Sequence, residues 1–527
     1  MHPAETFELV FTLLLAILAL HWFAERAKLP PSVALLVGGG ALAFLPGLPV
    51  IELDPELVLV LFLPPLLMDG AYYTALAAFR RHSAGILSLA IGAVVFTTLV
   101  VGVVVHWLVP ALPWAACFAL GAIVSPPDAV SARAVLQRVK LPRRLTTLLE
   151  GESLLNDASG LVLFRFAVAA ALTGSFDAVD ASLEFGFLAI GGVVVGAVVG
   201  GAWTFLLRRL GDETLMILAS LILGWAAYLA GEAVHVSGVI STVTAGLVFG
   251  WYQHVVFTAS VRIRAGAFWH VMVFLMEAMI FILIGLSLRG VLERVGGFET
   301  VLATMAVPVV GVIVAMTLAR FVWIFGCDAV LALLNRLGFP IDDPLGPRAA
   351  TVMSWAGMRG VVTLAVALTV PETMPGRDLM LVAAFAAILV TVLLQGTTLG
   401  LVIRAANLSD RGVRPALSRA QAEAAVAAAQ LVAVRSQAYT DDGTLAHPRL
   451  LEGFQRRADQ AFQNADDEDT FVDEITAHYD LVLEAVRAGR AELVRLHRAH
   501  QISDETLHDL ERDLDLEELS ATAAKSL

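Results

Sequence analysis

Gly151-Glu152-Ser153-Leu154-Leu155-Asn156-Asp157 runs without interruption into Ala158-Ser159-Gly160-Leu161-Val162-Leu163-Phe164, so two carboxylates sit where hydrocarbon is due. An ionisable side chain at bilayer depth is costly and is seldom kept without a transport, relay or pairing role. Asp69, Asp128, Arg320 and Arg359 place the same burden on four other apolar stretches. One charge could be an accident of packing; five charged stretches describe a working interior.

The chain around them is built for lipid. Its 527 residues are 58% apolar and only 16% charged, with a mean hydropathy of +0.78. That composition excludes a soluble globular protein and defines a polytopic, all-α membrane protein. Much of the net charge of −13 collects from Asn407 onward, where 23 acidic residues face 13 basic ones. Acidity is thus mainly a property of the tail, and it argues against a nucleic-acid partner. Cys117 and Cys327 lie in apolar stretches and read as packing residues, not as a disulfide. The first apolar run has neither a basic leader nor a small-residue cleavage site, so a retained helix is expected there.

A membrane crossing needs about 20 helical residues. Segments 6–25, 31–47, 56–76, 84–109, 112–135, 146–171, 184–207, 213–231, 236–253, 266–288, 300–333, 348–370 and 379–403 meet that test, giving about 13 transmembrane helices. Loop charges provide an independent check. With the N-terminus outside, inner loops hold Arg26, Lys28, Arg80, Arg81, Arg133, Arg138, Lys140, Arg143, Arg144, Arg208, Arg209, Arg262, Arg264 and Arg336. Outer loops carry Glu52, Asp54, Glu56, Asp177, Asp180, Glu184, Glu372 and Asp378, with Arg294 and Arg377 in the minority. This is the positive-inside pattern, and it puts the C-terminus in the cytoplasm of a cell whose inner membrane holds the protein.

Thirteen spans fit one extra helix plus two inverted six-helix repeats. Such transporters carry interrupted helices at corresponding places in each half. Pro126 and Pro127 remove backbone donors within the fifth span. Gly357 and Gly360 punctuate the twelfth. Two crossed broken helices are therefore expected. The membrane domain is placed at 1–405. The remainder, 406–527, reads as a small helical cytoplasmic C-terminal domain, with helical patterning over 416–438 and 470–518.

On the sixth helix Glu152 shares a face with Asn156, and Ser153 with Asp157, each four residues apart. Asp157 lies about 16 Å in from Thr146 at 1.5 Å per residue, close to the midplane. Asp128 belongs near the same depth, and Asp69 is added by the third span. Carboxylate, hydroxyl, amide and carbonyl oxygens suit a hard alkali cation, and no span supplies the His/Cys cluster of a zinc or copper site. A carboxylate able to take a proton or a cation near neutral pH, reached alternately from two sides, is sufficient for exchange. Arg320 needs a carboxylate partner at that depth; Glu152 is the candidate, which leaves Asp157 for ions.

Ser125-Pro126-Pro127-Asp128-Ala129-Val130, the stretch 151–157 with its pentad Gly151, Glu152, Ser153, Asn156 and Asp157, Leu63-Pro64-Pro65-Leu66-Leu67-Met68-Asp69 and Gly357-Met358-Arg359-Gly360 together resemble the bacterial sodium/proton exchanger family. More narrowly they resemble the electroneutral branch of the monovalent cation:proton antiporters, over about residues 5–405. The resemblance implies Na+ and proton binding at Asp157, with Asp128 and Ser153 as further ligands and Asp69 reaching the site through water. It implies a supporting network of Glu152, Asn156 and Arg320; Arg359, by its place in the chain, is expected to stabilise the crossing region or the inner mouth instead of touching ions. It also implies a homodimer in the lipid bilayer, no cofactor, and electroneutral exchange because Asn156 precedes the aspartate. The chain departs from the family where Pro127 stands in place of a common Thr or Val and Ala129 in place of a common proline.

Three rival functions are open to these residues. A cation channel needs a continuous polar lining, whereas the polar residues here converge on one cluster. A membrane-embedded enzyme needs a nucleophile–base pair or metal motif, and none occurs near the pentad. Proton- or sodium-coupled transport of another solute is the remaining alternative to exchanging Na+ (or Li+ or K+) for protons in pH and sodium homeostasis.

Overall fold

The computed structural model describes residues 3–45, 54–74, 76–128, 141–174, 178–339, 343–408, 418–439, 445–466, 468–499 and 501–525. The distal part of the expected fifth span (129–135), together with Glu52, Arg133, Arg138, Lys140 and Asp177, falls outside them. Among the described residues there is no strand beyond one isolated bridge, Tyr439–Leu445. The chain divides into compact units at Met1–Gly412 and Val413–Leu527.

The membrane unit runs α1 (Pro3–Ala27), α2 (Pro31–Ala43), α3 (Pro55–Tyr73), a short α4 (Leu76–Arg81), α5 (Ser83–Leu108), α6 (Trp114–Val124) and α7 (Arg143–Thr173). It continues through α8 (Ala178–Leu207), α9 (Glu213–Ala233), α10 (Gly238–Val256), α11 (Ala259–Val295) and α12 (Phe298–Arg336). It ends with α13 (Pro347–Trp355), α14 (Val361–Leu368) and α15 (Arg377–Ala406). Ten of these are long and apolar enough to cross a bilayer singly. The other expected crossings are the short α2, the interrupted span that begins with α6, and the pair α13–α14. Length, not apolarity, removes them from the ten: two are cut by proline or glycine, and α2 has only 13 residues.

The interruptions repeat at an offset of seven spans. A π-helical turn opens the fourth span at Ser88–Ala93 and the eleventh at Val301–Met305. Helical backbone stops at Val124 in the fifth span and between Trp355 and Val361 in the twelfth. Helices an odd number of crossings apart run in opposite directions, which is what inverted repeats require. The seventh span, α8, is then the odd one. A third π turn, Thr391–Gln395 in α15, has no counterpart in the unbroken α7.

Two large apolar clusters hold the unit together. One joins α2, α3, α10 and α11 through Leu36, Phe62, Phe249 and Ile282. The other joins α5, α6, α12 and α15 through Val101, Leu120, Met316 and Leu381. Val362, just past the twelfth-span break, packs on both. The outward faces of α1 and α8 expose Phe11, Leu18, Trp22, Phe187, Ile190 and Val198, side chains that only hydrocarbon or another apolar surface would cover.

The second unit consists of α16 (Arg419–Gln437), α17 (Pro448–Asp466), α18 (Glu468–Arg498) and α19 (Asp504–Lys525). A capping box at Ser418 and Gln421 starts α16. The patterned stretch 470–518 falls in two helices, with Ser503 accepting the Thr506 N–H at 3.1 Å where the second begins. Arg490 then joins the pair by reaching Asp515 at 2.5 Å and Glu518 at 2.7 Å.

Candidate functional site

At the two breaks the backbone leaves the helix, and its freed groups find specific partners. The Asp128 N–H donates to the Met358 carbonyl at 2.7 Å, so the fifth and twelfth spans cross there. Arg359, 2% exposed, lies at the same crossing. Its guanidinium donates to the carbonyls of Val124 at 2.5 Å and Ser125 at 3.2 Å, and also to that of Gly357. Its backbone N–H donates to Thr391 Oγ1 at 3.0 Å. A buried cation thereby closes the carbonyl end of α6, where several acceptors are orphaned and the helix dipole is negative. Gly360 is required by proximity: a Cβ there would run into the Asp128 carboxyl. Gly357 is required likewise, since its Cβ would meet Arg320.

On α7 the pentad splits as its spacing suggests. Glu152, 1% exposed, takes both terminal nitrogens of Arg320 at 2.5 and 2.8 Å. Arg320 Nε donates further to the Met353 carbonyl at 3.2 Å, which ties α12 to the end of α13. Asn156 is not part of this ion pair. Its amide donates to the Pro127 carbonyl at 2.5 Å, while its Oδ1 is buried with no hydrogen-bond partner among the described residues. The freed carbonyls of Val124, Ser125 and Pro127 each accept a hydrogen bond from Arg359 or Asn156.

Asp157 is the fifteenth of the 31 residues of α7, close to its middle. Together with Ser153, Asp128 and the buried Asp69 it lines a cavity of about 590 Å³. No hydrogen bond engages the Asp157 carboxylate among the described residues. The cavity is lined from the ends of α1 and α3 and the starts of α2, α7 and α11, which carry the basic loops, down to Val361 and Val362 at the break. Beyond Asp157 the helices close on one another through Val124, Phe164, Val366 and Leu381. The space is thus a blind, one-sided pocket with carboxylate and hydroxyl oxygens at its floor. Among the described residues no three His, Cys, Asp or Glu side chains converge as a transition-metal site would need.

Other polar side chains within the spans find local partners. Asp328 accepts the Leu345 and Gly346 N–H groups and so fixes the turn that leads into α13. Ser241 and Thr242 donate to the Ala227 and Gly224 carbonyls, which makes them helix-packing hydroxyls. Thr391, Glu25 and Glu150 had no advance signal, whereas Glu277 stands out in sequence as a charge within a span, where a pairing role is expected. Thr391, which receives Arg359, reads in sequence as an ordinary threonine in an apolar helix. Glu277 on α11 also lines the cavity, as do Glu25 and Glu150 near its mouth.

Crossed helix breaks around a buried carboxylate, reached from one side of a helical bundle, define a secondary transporter for small cations. Residues 10–405 match the family described as sodium/hydrogen exchanger, transmembrane, and the chain belongs to that family. It is 32% identical over 504 residues to an uncharacterised Na+/H+ exchanger of Escherichia coli strain K12, covering 88% of this chain and 89% of that one. It is 34% identical over 415 residues to a sodium, potassium, lithium and rubidium/H+ antiporter of Bacillus subtilis strain 168, covering 74% and 60% of the two. Among solved structures, the sodium proton antiporter MjNhaP1 from Methanocaldococcus jannaschii shares the fold, with a TM-score of 0.60, 20% identity, and coverage of 76% of this chain and 99% of that one.

Proposed function

We propose that this protein exchanges monovalent cations for protons by alternating access, with Na+ the first candidate and Li+ and K+ also admitted. In this reading Asp157 holds either a proton or a cation, Asp128 and Ser153 complete the cation's oxygen shell, and Asp69 acts through water. The observation that carries it is the division of labour on α7. Glu152 is consumed by Arg320, whereas Asp157 keeps its carboxylate facing an accessible cavity. One negative charge available for one cation or one proton makes the exchange electroneutral. The polar lining ends at Asp157, which speaks for carriage and against a continuous channel. By the positive-inside rule the cavity mouth is cytoplasmic and the N-terminus is outside; the inner membrane of the cell is the proposed location. The working form is a homodimer, as the family resemblance implies, and its role is pH and sodium homeostasis.

Everted vesicles from a host lacking its own antiporters test the exchange. Addition of Na+ dissipates a preformed ΔpH, and clamping the membrane potential leaves the rate unchanged. A rate that follows the potential would exclude electroneutrality; no response to Na+, Li+ or K+ would exclude the function.

Gly360→Ala supplies a second check, because the added methyl displaces the Asp128 carboxyl. A displacement on the order of 1 Å at a reacting group can cost about a hundredfold in rate, so at least a tenfold loss is expected. Gly201→Ala, whose Cβ meets open space, serves as the unaffected control in the same assay.

A further inference from the structure

The peptide bond between Met358 and Arg359 is used on both sides. Its carbonyl accepts the Asp128 N–H at 2.7 Å, and its N–H donates to Thr391 Oγ1 at 3.0 Å. The Thr391 hydroxyl in turn donates to the Ala387 carbonyl at 2.7 Å, one turn back on α15. A continuous chain of hydrogen bonds therefore runs from α15 through one peptide plane to the backbone of Asp128. Bonds linked in this way polarise one another, so the chain holds more firmly than its separate members would.

The Asp128 carboxyl rests on the same stretch, two residues further along. A Cβ at Gly360 would run into that carboxyl, so backbone and side chain of Asp128 are cradled together by Met358, Arg359 and Gly360. The Arg359 guanidinium turns to the carbonyls of Val124, Ser125 and Gly357, which ties the two broken spans to each other. Thr391 ties the cradle to a third helix. It is 1% exposed and is not among the side chains lining the cavity with Asp128, Ser153 and Asp157, so any effect on a cation there passes through the cradle. The π turn Thr391–Gln395 starts at this residue. Single π turns within α-helices are frequent at functional sites.

We propose that Thr391 is a positioning residue for cation discrimination: by anchoring the Met358–Arg359 peptide it fixes how closely Asp128 approaches a cation shared with Asp157. The inference rests on the exchange reading and adds to it what sets the preferred size of the ion. Discrimination between cations of equal charge is a matter of cavity size, ligand number and ligand flexibility. A small ion gains most from oxygens held at close range, since the attraction grows as the distance shrinks, whereas a larger ion tolerates a looser shell. Removing the hydroxyl leaves the Arg359 N–H buried without its acceptor, a loss worth about fivefold to a hundredfold in an equilibrium constant. The peptide then turns to recover a partner and takes Asp128 with it.

In everted vesicles, initial rates of ΔpH dissipation are measured against Li+, Na+ and K+ concentration for Thr391→Val, which keeps the volume and removes the hydroxyl. The apparent KM is expected to rise about fivefold for the smallest cation the parent accepts and progressively less for larger ones, with Vmax per amount of protein unchanged. Thr391→Ser restores the acceptor and is expected to return the KM values and their ratios to those of the parent. A merely structural threonine would behave differently, because a smaller folded fraction lowers Vmax for every cation alike and leaves the KM ratios where they were. That result overturns the proposal, as does a Thr391→Ser variant as impaired as Thr391→Val. Should the valine variant fail to accumulate, Thr391→Cys takes its place, since sulfur is a weak acceptor; KM ratios equal to those of Thr391→Ser then overturn the proposal. A parent protein that responds to no alkali cation would refute the exchange reading itself. Normal exchange in the parent with unaltered KM ratios in the variants removes Thr391 alone.

Discussion

Asp157→Asn reduces cation-driven ΔpH dissipation to the background of vesicles lacking the protein, with Na+, Li+ and K+ alike. The amide occupies nearly the same volume as the carboxyl, so packing along α7 is preserved and the variant accumulates normally. What disappears is the one group at the cavity floor that can exchange a proton for a cation. The neighbouring carboxylates have other places in the site. Glu152 is held by both terminal nitrogens of Arg320, and the Asp128 backbone is committed to the crossing through its bond to Met358. Asp157→Glu separates charge from position, because it retains an acid but moves it by one methylene. Activity is therefore expected to survive at a level reduced on the order of tenfold or more. In the parent protein, competition for one site has a definite sign. Acidifying the face that takes up Na+ raises the apparent KM for Na+ and leaves Vmax unchanged. A parent protein whose Vmax falls while KM stays constant would place the proton at a separate group, and activity in Asp157→Asn at parental rates would remove Asp157 from the mechanism.

What could be read in the sequence, and what could not, divides along physical lines. Charges in apolar stretches announce themselves because hydrocarbon makes them expensive, and for that reason Glu152, Asp157, Arg320 and Arg359 stand out unaided. Proline pairs and glycine punctuation mark the breaks equally well, since they act on the backbone itself. Partner choice is another matter. Asn156 shares a face with Glu152, which suggests a common network, but its amide turns to the Pro127 carbonyl instead. That bond depends on where a neighbouring helix unwinds, and spacing along α7 carries no information about it. Thr391 shows the same limit: a hydroxyl in an apolar helix ordinarily donates to its own backbone, as this one also does to Ala387 at 2.7 Å. Its second duty, accepting from the Arg359 N–H, exists only because the twelfth span is broken opposite it. Glu277 stands out as a charge in an apolar span, but its place on the cavity wall is hidden, because it lies more than a hundred residues from Asp157 in sequence.

The second large effect concerns stability, and it tests the separation of the two pentad carboxylates. Glu152 and Arg320 are 1% and 4% exposed and bond bidentately. Bringing two such groups out of water costs several kcal/mol each, and their mutual attraction with good geometry offsets that cost without large surplus. Removing one partner strands the other. Glu152→Leu leaves a buried guanidinium with the Met353 carbonyl as its remaining partner, and Arg320→Met leaves a buried carboxylate with none. Each single variant should lose about 3–5 kcal/mol, a large fraction of the roughly 5–15 kcal/mol that holds a typical domain folded. A marked fall in thermal midpoint in detergent, and poor accumulation in the membrane, are the expected readings. The double variant Glu152→Leu/Arg320→Met removes both charges and fills the space with apolar atoms, so its midpoint should return to that of the parent or exceed it. Because Asp157 belongs to neither partner, the double variant should also retain Na+-driven exchange. Restored folding without restored exchange would show that the ion pair takes part in transport, and the assignment of Glu152 to structure alone would have to be given up.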